Sequence, residues 1–368
     1  MYRNTDAAQL GQGRILYLKG TPYEQGKQLG AGAAEVIREN VRRAEALRDN
    51  IAAGRDQADY HALTKQNEAW VAREYPELLE ELTGISEGAQ VDYAELVSMN
   101  LNTHIAYVYS AMLSCTQVLA TGPATIDGKT YVGKTRDLSR GPLNQVLLHR
   151  EYDDGSYINE IQTAGRMTIP DGINQHGVSL TCSGAWSPRV MVDLGRADSA
   201  WMNLNLQPIL REATTAAEAI AMIKEQPRAA GMIVLVADGT RATALEVTDT
   251  VVREFEAEDG VLIRTNHYFA PDLQDVVPTF EENPSSFDRH ARVTEMVGQR
   301  HGKIGMHDIL AIVSDHSLPP KESICRHGDG NGESKTVSAT ISCPEDRTLW
   351  ATLSNPCEAI QAIGLPGQ

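Results

Sequence analysis

The period of the hydrophobic pattern changes at Cys115, and this change constrains the fold more than any other feature of the chain. Downstream, residues 116–121 are apolar and β-branched, and the pair Asp127-Gly128 predicts a turn into a second strand that ends at Asp137. The pattern therefore predicts a helix–strand junction, with the thiol at the start of a strand and at the edge of a sheet. Upstream, apolar residues recur every three or four positions, as on one helix face: Ala94, Val97, Leu101, Ile105, Val108 and Met112.

The rest of the chain is patterned in blocks of helices and blocks of strands. Blocks of this kind predict mixed or antiparallel sheets with helical layers outside them. Gly84 and Gly88 interrupt the helical pattern before Cys115, and Asp-Gly pairs at 127–128, 154–155 and 171–172 predict turns. Predicted helices cover 21–48, 57–82, 199–211, 215–225, 286–300 and 306–314, and predicted strands cover 116–121, 129–136, 145–152, 156–163, 177–182, 232–237, 242–247, 251–256, 261–265, 336–342 and 347–353.

Composition excludes several classes of partner. The 368 residues carry a net charge of −16, from 33 Lys and Arg against 49 Asp and Glu. A surface this acidic repels phosphate backbones and anionic lipids, which argues against nucleic acid and membrane partners. The five cysteines are widely spaced and do not resemble a disulfide framework, and no signal core or membrane span is visible. We therefore expect a cytoplasmic, soluble protein with reduced thiols.

Cys115 is the leading nucleophile candidate. No GxGxxG of a dinucleotide site follows a strand. Residues 84–88 (GISEG) fit the letters of the serine elbow GxSxG, but they lie in a helical block. Residues 128–135 (GKTYVGKT) fit the letters of the phosphate-binding loop GxxxxGK[ST], but they lie in a predicted strand, so neither has the strand–turn–helix context that its chemistry requires. If the chain were cut before Cys115, one residue would carry both the thiol and a free α-amine that serves as general base. The alternative is a small core residue, because free cysteine is among the most buried residue types.

Two strand ends supply candidate partners for this thiol. A hairpin would return the carboxylate of Asp137 towards Cys115, although a single strand-end Asp more often faces water. Asn266 follows the apolar segment 261–265, where its side-chain N–H would stabilise an oxyanion, or where it would simply form a turn. His267 is a candidate general base for Cys115, although a histidine beside an aromatic residue is more often structural.

A third constellation combines residue types that bind zinc. It runs from Asp315-His316 through Cys325 and His327 to Asp329. Its spacing matches no compact zinc motif, and neither CxxC nor HExxH occurs in the chain. We therefore predict no metal and no other cofactor.

Ten short motifs follow one another over nearly the whole chain. They are residues 20–30 (GTPYEQGKQLG), 82–89 (LTGISEGA), Cys115-Thr116, 133–137 (GKTRD), 172–178 (GINQHGV), 265–268 (TNHY), 286–289 (SFDR), 314–316 (SDH), 323–327 (SICRH) and 355–357 (NPC). Each motif is weak alone, but in this order they are fairly specific. Together they resemble the penicillin acyltransferase family (acyl-coenzyme A:6-aminopenicillanic acid acyltransferase-like), a branch of the N-terminal-nucleophile hydrolases.

The resemblance implies an α+β fold, a four-layer αββα sandwich of antiparallel or mixed sheets. It also implies a precursor that cleaves itself between Ser114 and Cys115 into two tightly associated chains. Residues 1–114 would form the mainly helical smaller chain and 115–368 the larger chain, together making one domain. Carried over by position, Cys115 is the nucleophile, Asp137 the acid near the new N-terminus and Asn266 the oxyanion donor.

Two positions depart from the family pattern. Family members often have Gly before the nucleophile, and several have an Asn-Trp pair before the acid, whereas this chain has Ser114 and Thr135-Arg136. Ser114 is small, so cleavage remains compatible with it. Arg136 in place of a bulky aromatic residue indicates a different pocket, suited to an anionic substrate group. Thr116 and His267 are further candidates for substrate binding.

The sequence thus predicts a self-processing cysteine amidohydrolase or acyltransferase. Cys115 would attack the amide of a small N-acyl compound, form an acyl-thioester and release it to water or to an amine acceptor. The expected partners are this small-molecule substrate and the two self-associated fragments, with a homo-oligomer left open. The alternatives are an uncleaved thiol hydrolase that uses Cys115 with His267, and a catalytically silent binding protein on the same scaffold.

Overall fold

The computed structural model describes residues 14–52, 57–101, 113–167, 170–185, 202–227, 231–358 and 363–365. Its helices are α1 (Pro22–Gly32), α2 (Ala34–Ala52), α3 (Gln57–Glu74), α4 (Pro76–Ala89), α5 (Tyr93–Leu101), α6 (Met202–Glu212), α7 (Ala216–Glu225), α8 (Pro284–Arg300) and α9 (Met306–Val313). Its strands are β1 (Arg14–Lys19), β2 (Leu113–Ala120), β3 (Tyr131–Leu138), β4 (Gln145–Glu151), β5 (Tyr157–Thr163), β6 (Asp171–Asn174), β7 (Ser179–Gly184), β8 (Met232–Ala237), β9 (Ala242–Val247), β10 (Val252–Glu256), β11 (Val261–Arg264), β12 (Lys335–Cys343), β13 (Thr348–Thr352) and β14 (Ile363–Leu365).

The strands form two sheets. The large sheet has eight strands in the order β1-β4-β5-β6-β7-β8-β9-β10, and the small sheet has six in the order β11-β2-β3-β12-β13-β14. The pairing of β1 with β4 is parallel, and the other pairings are antiparallel. The strand that carries Cys115 and the strand that carries Asp137 are therefore central neighbours in the small sheet.

The two sheets lie face to face between two helical layers. Leu119 and Val132 of the small sheet pack against Leu235 and Ala244 of the large sheet, which places these residues between the sheets. Helices α1 to α5 cover the outer face of the large sheet together with α6 and α7, and α8 and α9 cover the outer face of the small sheet. The αββα sandwich expected from the family resemblance is confirmed.

Helices α1 and α4 approach each other closely through glycines. A Cβ added to Gly26 would lie 2.2 Å from the carbonyl oxygen of Glu81, and one added to Gly84 would lie 2.2 Å from that of Tyr23. Gly84 and Gly88 lie inside α4, so the prediction that they interrupt the helix is wrong. Glycine inside a helix destabilises that helix, but here the loss is offset by close backbone contact between α1 and α4, which a side chain would prevent.

Other differences from the predicted elements have local causes. The predicted helix 21–48 is divided at Ala33, and β1 was not predicted. Asp171-Gly172 lies in strand β6 instead of a turn, because the Asp171 carboxylate binds two buried cations between the sheets. Strand β2 begins at Leu113, two residues before Cys115. The stripe residues Ile105, Val108 and Met112, and residues 199–201 of the predicted helix 199–211, lie outside the described residues.

Within the described ranges, no helix combines the length and the apolar character that crossing a membrane requires.

Candidate active site

Cys115 lies where the edge of the small sheet becomes uncovered. It is the third residue of β2 and pairs with Arg136 of β3, so the thiol does not begin the strand as predicted. On the other side of β2, the short strand β11 ends at Arg264, which pairs with Gln117. Cys115 lies just beyond that end, where side chains bind the backbone of β2 in place of strand β11. Cys115 thus lies at a sheet edge, as predicted, because β11 ends before reaching it. The strand β2 itself continues through Ser114.

Asn266 and Arg289 bind the backbone of Cys115 at this edge. The Cys115 N–H donates to Asn266 Oδ1 at 3.0 Å, and Arg289 donates to the Cys115 carbonyl oxygen. Arg289 also donates to Asn266 Oδ1 at 2.7 Å and to the Thr116 hydroxyl at 2.9 Å. Asn266 Nδ2 donates to the Gly184 carbonyl at 2.7 Å. Both backbone polar groups of the candidate nucleophile are therefore held by buried side chains.

Arg289 belongs to the motif 286–289, and the sequence alone assigned it no role. It lies on the buried stripe of α8, which comprises Ser286, Arg289, Val293 and Val297. Burial and the neighbouring Arg326 lower the pKa of its guanidinium, which still remains protonated because the ordinary value is so high. A charged residue on an apolar helical stripe is the sequence signal that would have singled it out, since buried charge is rare without a partner.

Asp137 lies on the opposite face of the small sheet from the Cys115 side chain. Successive strand residues face opposite sides, and Asp137 pairs with Ser114, one position from the pair of Cys115 and Arg136. Thr336 donates to Asp137 Oδ1 at 2.6 Å, and Arg326 Nε lies 3.8 Å from Oδ2. Oδ2 has no hydrogen-bond partner among the described residues. Burial raises the pKa of the Asp137 carboxyl, and Arg326 and Arg289 oppose that rise.

Arg136 shares the inner face of the small sheet with Cys115 and is fully buried there. Its guanidinium contacts Asp171 and donates to Gln145 Oε1 at 3.2 Å. Lys134 Nζ binds the same carboxylate at 2.8 Å. Two cations thus share one aspartate between the sheets, and no sequence pattern indicated that Asp171 and Lys134 belong to this group. The predicted site for an anionic substrate group therefore has a local excess of positive charge, with two cations against one carboxylate.

Within the described part of the chain, His267 forms a hydrogen bond with Ser286 and none with Cys115. Its Nδ1 lies 2.8 Å from Ser286 Oγ, and its ring stacks on Phe287 with centroids 4.2 Å apart. Ser286 Oγ also accepts the N–H of Asn266 at 2.9 Å. Burial lowers the pKa of His267 to about 3, so the ring is neutral at physiological pH and a weak base. These contacts make His267 a support for Asn266.

The third constellation separates into two groups. The Asp315 carboxylate binds Arg292 at 2.8 Å, and Asp329 accepts the backbone N–H of Asn331 at 2.7 Å. Neither aspartate belongs to the group that contains the cysteine sulfur atoms. His316 and His327 instead lie near Cys357, a residue that the sequence constellation did not contain.

Comparison with known proteins gives one family. The family model described as acyl-coenzyme A:6-aminopenicillanic acid acyl-transferase matches residues 125–358, a range that contains Asp137 and Asn266 and begins after Cys115. A curated relative from Emericella nidulans, the acyl-coenzyme A:6-aminopenicillanic-acid-acyltransferase 40 kDa form, is 24% identical over 345 residues, which cover 92% of each chain.

Solved structures of amide hydrolases are more distant. An N-acylethanolamine-hydrolyzing acid amidase ortholog from Caenorhabditis elegans aligns with a TM-score of 0.48 and 11% identity, over 68% of this chain and 100% of that one. Penicillin V acylase from Agrobacterium tumefaciens aligns with a TM-score of 0.43 and 13% identity, over 64% and 82% of the two chains. A mutant conjugated bile acid hydrolase from Clostridium perfringens gives 0.46 and 12%, over 68% and 92%.

Proposed function

This chain belongs to the acyl-coenzyme A:6-aminopenicillanic acid acyl-transferase family, and from that membership and the geometry at Cys115 we propose a self-processing cysteine amidohydrolase or acyltransferase. The membership makes it an enzyme of the class that transfers acyl groups or cleaves amide bonds. The substrate we propose is a small N-acyl compound, since the relative from Emericella nidulans is named for a small amine acceptor and an acyl donor. Cys115 is the proposed nucleophile.

The observation that carries this proposal is the binding of the Cys115 backbone by Asn266 and Arg289. A cysteine that only filled the core would need no buried charged side chain at its carbonyl, because burying such a charge is costly. The Cys115 nitrogen is the atom that would become the α-amine on cleavage. Its position against a side-chain acceptor supports a role for that nitrogen in the chemistry.

Processing would proceed by attack of Cys115 Sγ on the Ser114 carbonyl carbon. The S–C bond forms, the bond from that carbon to the Cys115 nitrogen breaks, and the thiol proton passes to this nitrogen. Water then hydrolyses the thioester, which leaves a carboxylate on Ser114 and a free thiol and α-amine on Cys115. Asn266 Oδ1, 3.0 Å from the nitrogen, would hold it throughout.

Processing would also open the site. Cys115 is only 1% exposed while residues 113–114 continue the strand towards it, so a substrate carbonyl cannot reach the thiol in the uncut chain. Cutting at Ser114–Cys115 would free Leu113 and Ser114 from their pairs with Leu138 and Asp137. The vacated end of β2 would then admit a substrate. The two fragments would stay together, because β1 pairs with β4 and α1 to α5 pack on the large sheet.

In each turnover the α-amine would take the thiol proton as Sγ attacks the substrate carbonyl. An α-amine has an ordinary pKa of about 7.7–8.0 and a cysteine thiol about 8.5, so the proton exchanges at little cost near neutral pH. We assign the α-ammonium to Asp137, whose Oδ2 has no hydrogen-bond partner among the described residues. Asn266 would turn its Nδ2 from Gly184 to the developing oxyanion. Water or an amine would then resolve the acyl-thioester.

Arg136, Thr116 and His267 stay proposed substrate-binding residues with different contacts. The excess positive charge of Arg136 and Lys134 over Asp171 favours an anionic group on the substrate. Thr116 presents its hydroxyl to Arg289, and His267 contributes one face of an aromatic group with Phe269 and Phe287. That group suits an apolar or aromatic acyl chain.

Denaturing mass spectrometry of the purified protein tests this proposal. We expect two fragments, residues 1–114 and 115–368, that elute together under native conditions. Cys115→Ala should remain one chain and should not react with a thiol-directed acyl probe. Cys182→Ala is the matched control, since it also removes a buried thiol but should be processed and labelled as in the wild type.

The outcomes separate the rival functions. An uncut wild-type chain that is fully active would exclude self-processing and favour the uncleaved hydrolase. An uncut chain that also fails to react with the acyl probe would favour the silent binding protein.

A further inference from the structure

Two cysteines and two histidines converge where the loop between α9 and β12 meets the segment after β13. His316, Cys325 and His327 belong to the loop, and Cys357 belongs to the later segment. One ligand atom from each of His316, His327 and Cys357 lies within 4.8 Å of the others. Cys325 Sγ lies 3.4 Å from Cys357 Sγ. His316, His327 and Cys357 thus form one compact group of ligand atoms, and Cys325 Sγ lies beside two of its members.

The distances within this group fit tetrahedral coordination. Cys325 Sγ, His327 Nε2 and Cys357 Sγ form a triangle with sides of 3.4, 3.9 and 3.1 Å. A tetrahedral ion with metal–sulfur bonds of about 2.3 Å and metal–nitrogen bonds of about 2.0–2.1 Å separates its ligands by roughly 3.3–3.8 Å. The triangle is thus close in size to one face of such a site. His316 is grouped with His327 and Cys357 and would close towards Cys325 as the fourth ligand.

Both histidines already have their other ring nitrogen occupied. His327 Nδ1 pairs with Glu358 Oε1 at 3.2 Å, and His316 Nδ1 lies 3.1 Å from the Ser314 carbonyl oxygen. Each contact makes Nδ1 the donor and leaves the Nε2 lone pair for a metal. A carboxylate or carbonyl behind a ligating histidine is the usual second shell of a metal site.

The sulfur of Cys325 has a comparable support. Asn355 Nδ2 donates to Cys325 Sγ at 3.4 Å and to the Arg326 carbonyl oxygen at 2.5 Å. An N–H directed at the sulfur stabilises the thiolate that a metal requires. Asn355 therefore orients both a ligand and the backbone next to it.

We propose that His316, Cys325, His327 and Cys357 bind one divalent ion of the zinc class in a tetrahedral, structural site. Two thiolates with two imidazoles are the ligand set that selects zinc. Binding would release the two thiol protons to solvent. All four protein ligands would be used, so the ion has no open position for a substrate and serves to hold the chain.

The position of the site gives it a consequence for Asp137. Arg326 lies between two of the ligands in the sequence, and its guanidinium is 3.8 Å from Asp137 Oδ2. An ion on Cys325 and His327 would fix the backbone from which Arg326 extends and would join this loop to the segment after β13. Arg326 would then be held at Asp137 by the ion, although the metal site itself does not depend on the proposed catalytic function.

Metal analysis of the full-length protein tests the proposal. Protein expressed with added zinc and passed over a desalting column should contain about one zinc per chain, as expected for a closed structural site. Cobalt exchanged into the wild-type protein should show the absorption of tetrahedral cobalt with thiolate ligands. Cys357→Ser and His327→Gln should lose the bound zinc, whereas Cys343→Ser and His301→Gln, which lie elsewhere, should keep it.

Graded variants distinguish a built site from loosely bound metal. Glu358→Gln should weaken zinc binding about tenfold to a hundredfold in competition with a chromophoric chelator, because it removes only the support of His327. Cys115→Ala should keep its full zinc content, so a failure of the catalytic proposal is separable from a failure of this one.

Three results would overturn the proposal. They are a wild-type protein with reduced thiols and no bound zinc, a cobalt spectrum without tetrahedral thiolate bands, and a Cys325–Cys357 disulfide found by peptide mapping without reductant. The cobalt measurement on the wild-type protein decides the question even where a ligand variant fails to fold.

Discussion

Two buried charge clusters lie on opposite sides of the sandwich. Both combine arginine, carboxylate and amide side chains, but the ratio of arginines to carboxylates is reversed. The Arg150 cluster (Arg150, Glu81, Glu160 and Gln25) lies between α4 and the large sheet. The Asp137 cluster (Asp137, Asn266, Arg289 and Arg326) lies between the small sheet and α8. The first places one cation between two carboxylates, and the second places two cations around one carboxylate.

In the Arg150 cluster the opposite charges are in contact. Arg150 donates to Glu160 Oε1 at 2.6 Å and to Glu81 Oε1 at 2.7 Å. Burial lowers the pKa of Arg150, but Glu81 and Glu160 outweigh it and raise the pKa above its ordinary value. The cluster joins β4, β5 and α4 and has no contact with Cys115 among the described residues. It resembles a structural ion pair, in which loss of one partner leaves an uncompensated charge.

In the Asp137 cluster the charges are close but not bonded to each other. Arg289 donates hydrogen bonds to the Cys115 carbonyl, to Asn266 and to the hydroxyls of Thr116 and Ser285, all of which are neutral. Asp137 meets Arg326 at 3.8 Å, beyond hydrogen-bond distance. Separated charges in a low-dielectric interior interact strongly with any new charge that forms beside them. The comparison therefore supports a structural role for the first cluster and the proposed catalytic role for the second.

The sharpest test exchanges a carboxylate for an amide in each cluster. We expect Asp137→Asn to lower kcat on the order of a thousandfold, because it removes the partner of the α-amine base, and base catalysis contributes about 10²–10⁴. Glu160→Gln should instead lower the free energy of unfolding by roughly 3–5 kcal/mol, as for a broken buried pair. Single-turnover kinetics and urea unfolding of both variants measure the difference. Equal behaviour of the two variants would remove the distinction between the clusters.

Substitutions of Asn266 separate its two contacts. Asn266→Ala should lower kcat a hundredfold to a thousandfold with a near-normal KM, which corresponds to roughly 2.7–4 kcal/mol for a lost oxyanion donor. Asn266→Asp keeps the oxygen that accepts the Cys115 N–H but loses the Nδ2 donor, so we expect processing with defective turnover.

The kinetics of Asn266→Asp decide between the two roles. Normal turnover in this variant would mean that the oxyanion is bound elsewhere, with backbone N–H groups as the substitute. An effect of Asn266→Ala confined to KM would point to the same conclusion.

Lysine in place of arginine tests the fork geometry of the two guanidinium groups. Arg289→Lys keeps the charge but cannot reach the Cys115 carbonyl, Thr116 and Asn266 together. A hydrogen bond to a charged group is worth about 1.5–3 kcal/mol, so we expect processing and kcat to slow by roughly tenfold to a hundredfold. Arg150→Lys should change stability and leave the processing rate of folded protein intact. A purely structural Arg289 would show the reverse, with normal processing rates.

The smallest effect near neutral pH comes from His267, which supports Asn266 through Ser286 and should cause a loss of stability only as the pH falls. Its pKa is about 3 in the folded protein and near 6.5 when unfolded. Between these values the unfolded state binds more protons, so the contribution of His267 is complete above pH 6.5 and is lost as the pH falls towards 3. The slope is roughly 1.4 kcal/mol per pH unit.

Urea unfolding across this pH range checks the slope. His267→Gln should show a shallower slope than the wild type. His290→Gln should do the same over a narrower pH range, because burial lowers the pKa of His290 to about 4. Identical slopes in His267→Gln and the wild type would show that His267 is not held neutral by burial.

Most of the strand and helix predictions were accurate, and the failures share a cause. The hairpin from β2 to β3, the strands β8 to β11 and the helices α8 and α9 follow from their own hydrophobic period. Gly84 and Gly88 were wrongly predicted to end a helix, since their reason for being glycine is the backbone of α1. Asp171 was wrongly placed in a turn, because the cations that bind it lie on another strand.

The site was predicted unequally for the same reason. Cys115 and Asn266 were singled out from motif and position, and the structure brings the Cys115 N–H to Asn266 Oδ1. Asp137 was placed near the thiol, yet strand alternation turns its carboxylate to the opposite face. Arg289, which binds Cys115 and Asn266 together, received no role, because a helix far along the chain delivers it.

By itself the sequence determined most of the elements, the helix–strand change near Cys115 and the family motifs, because local periodicity and residue order contain that information. Only the tertiary structure decided which side chains and backbone groups meet: Arg289 at the Cys115 carbonyl, Arg326 near Asp137, and Cys357 beside Cys325 and His327. These partners lie from about thirty to nearly two hundred positions apart in the chain. Burial strengthens the contacts of Arg289 and Arg326, and that burial exists only after the sheets and helices have packed.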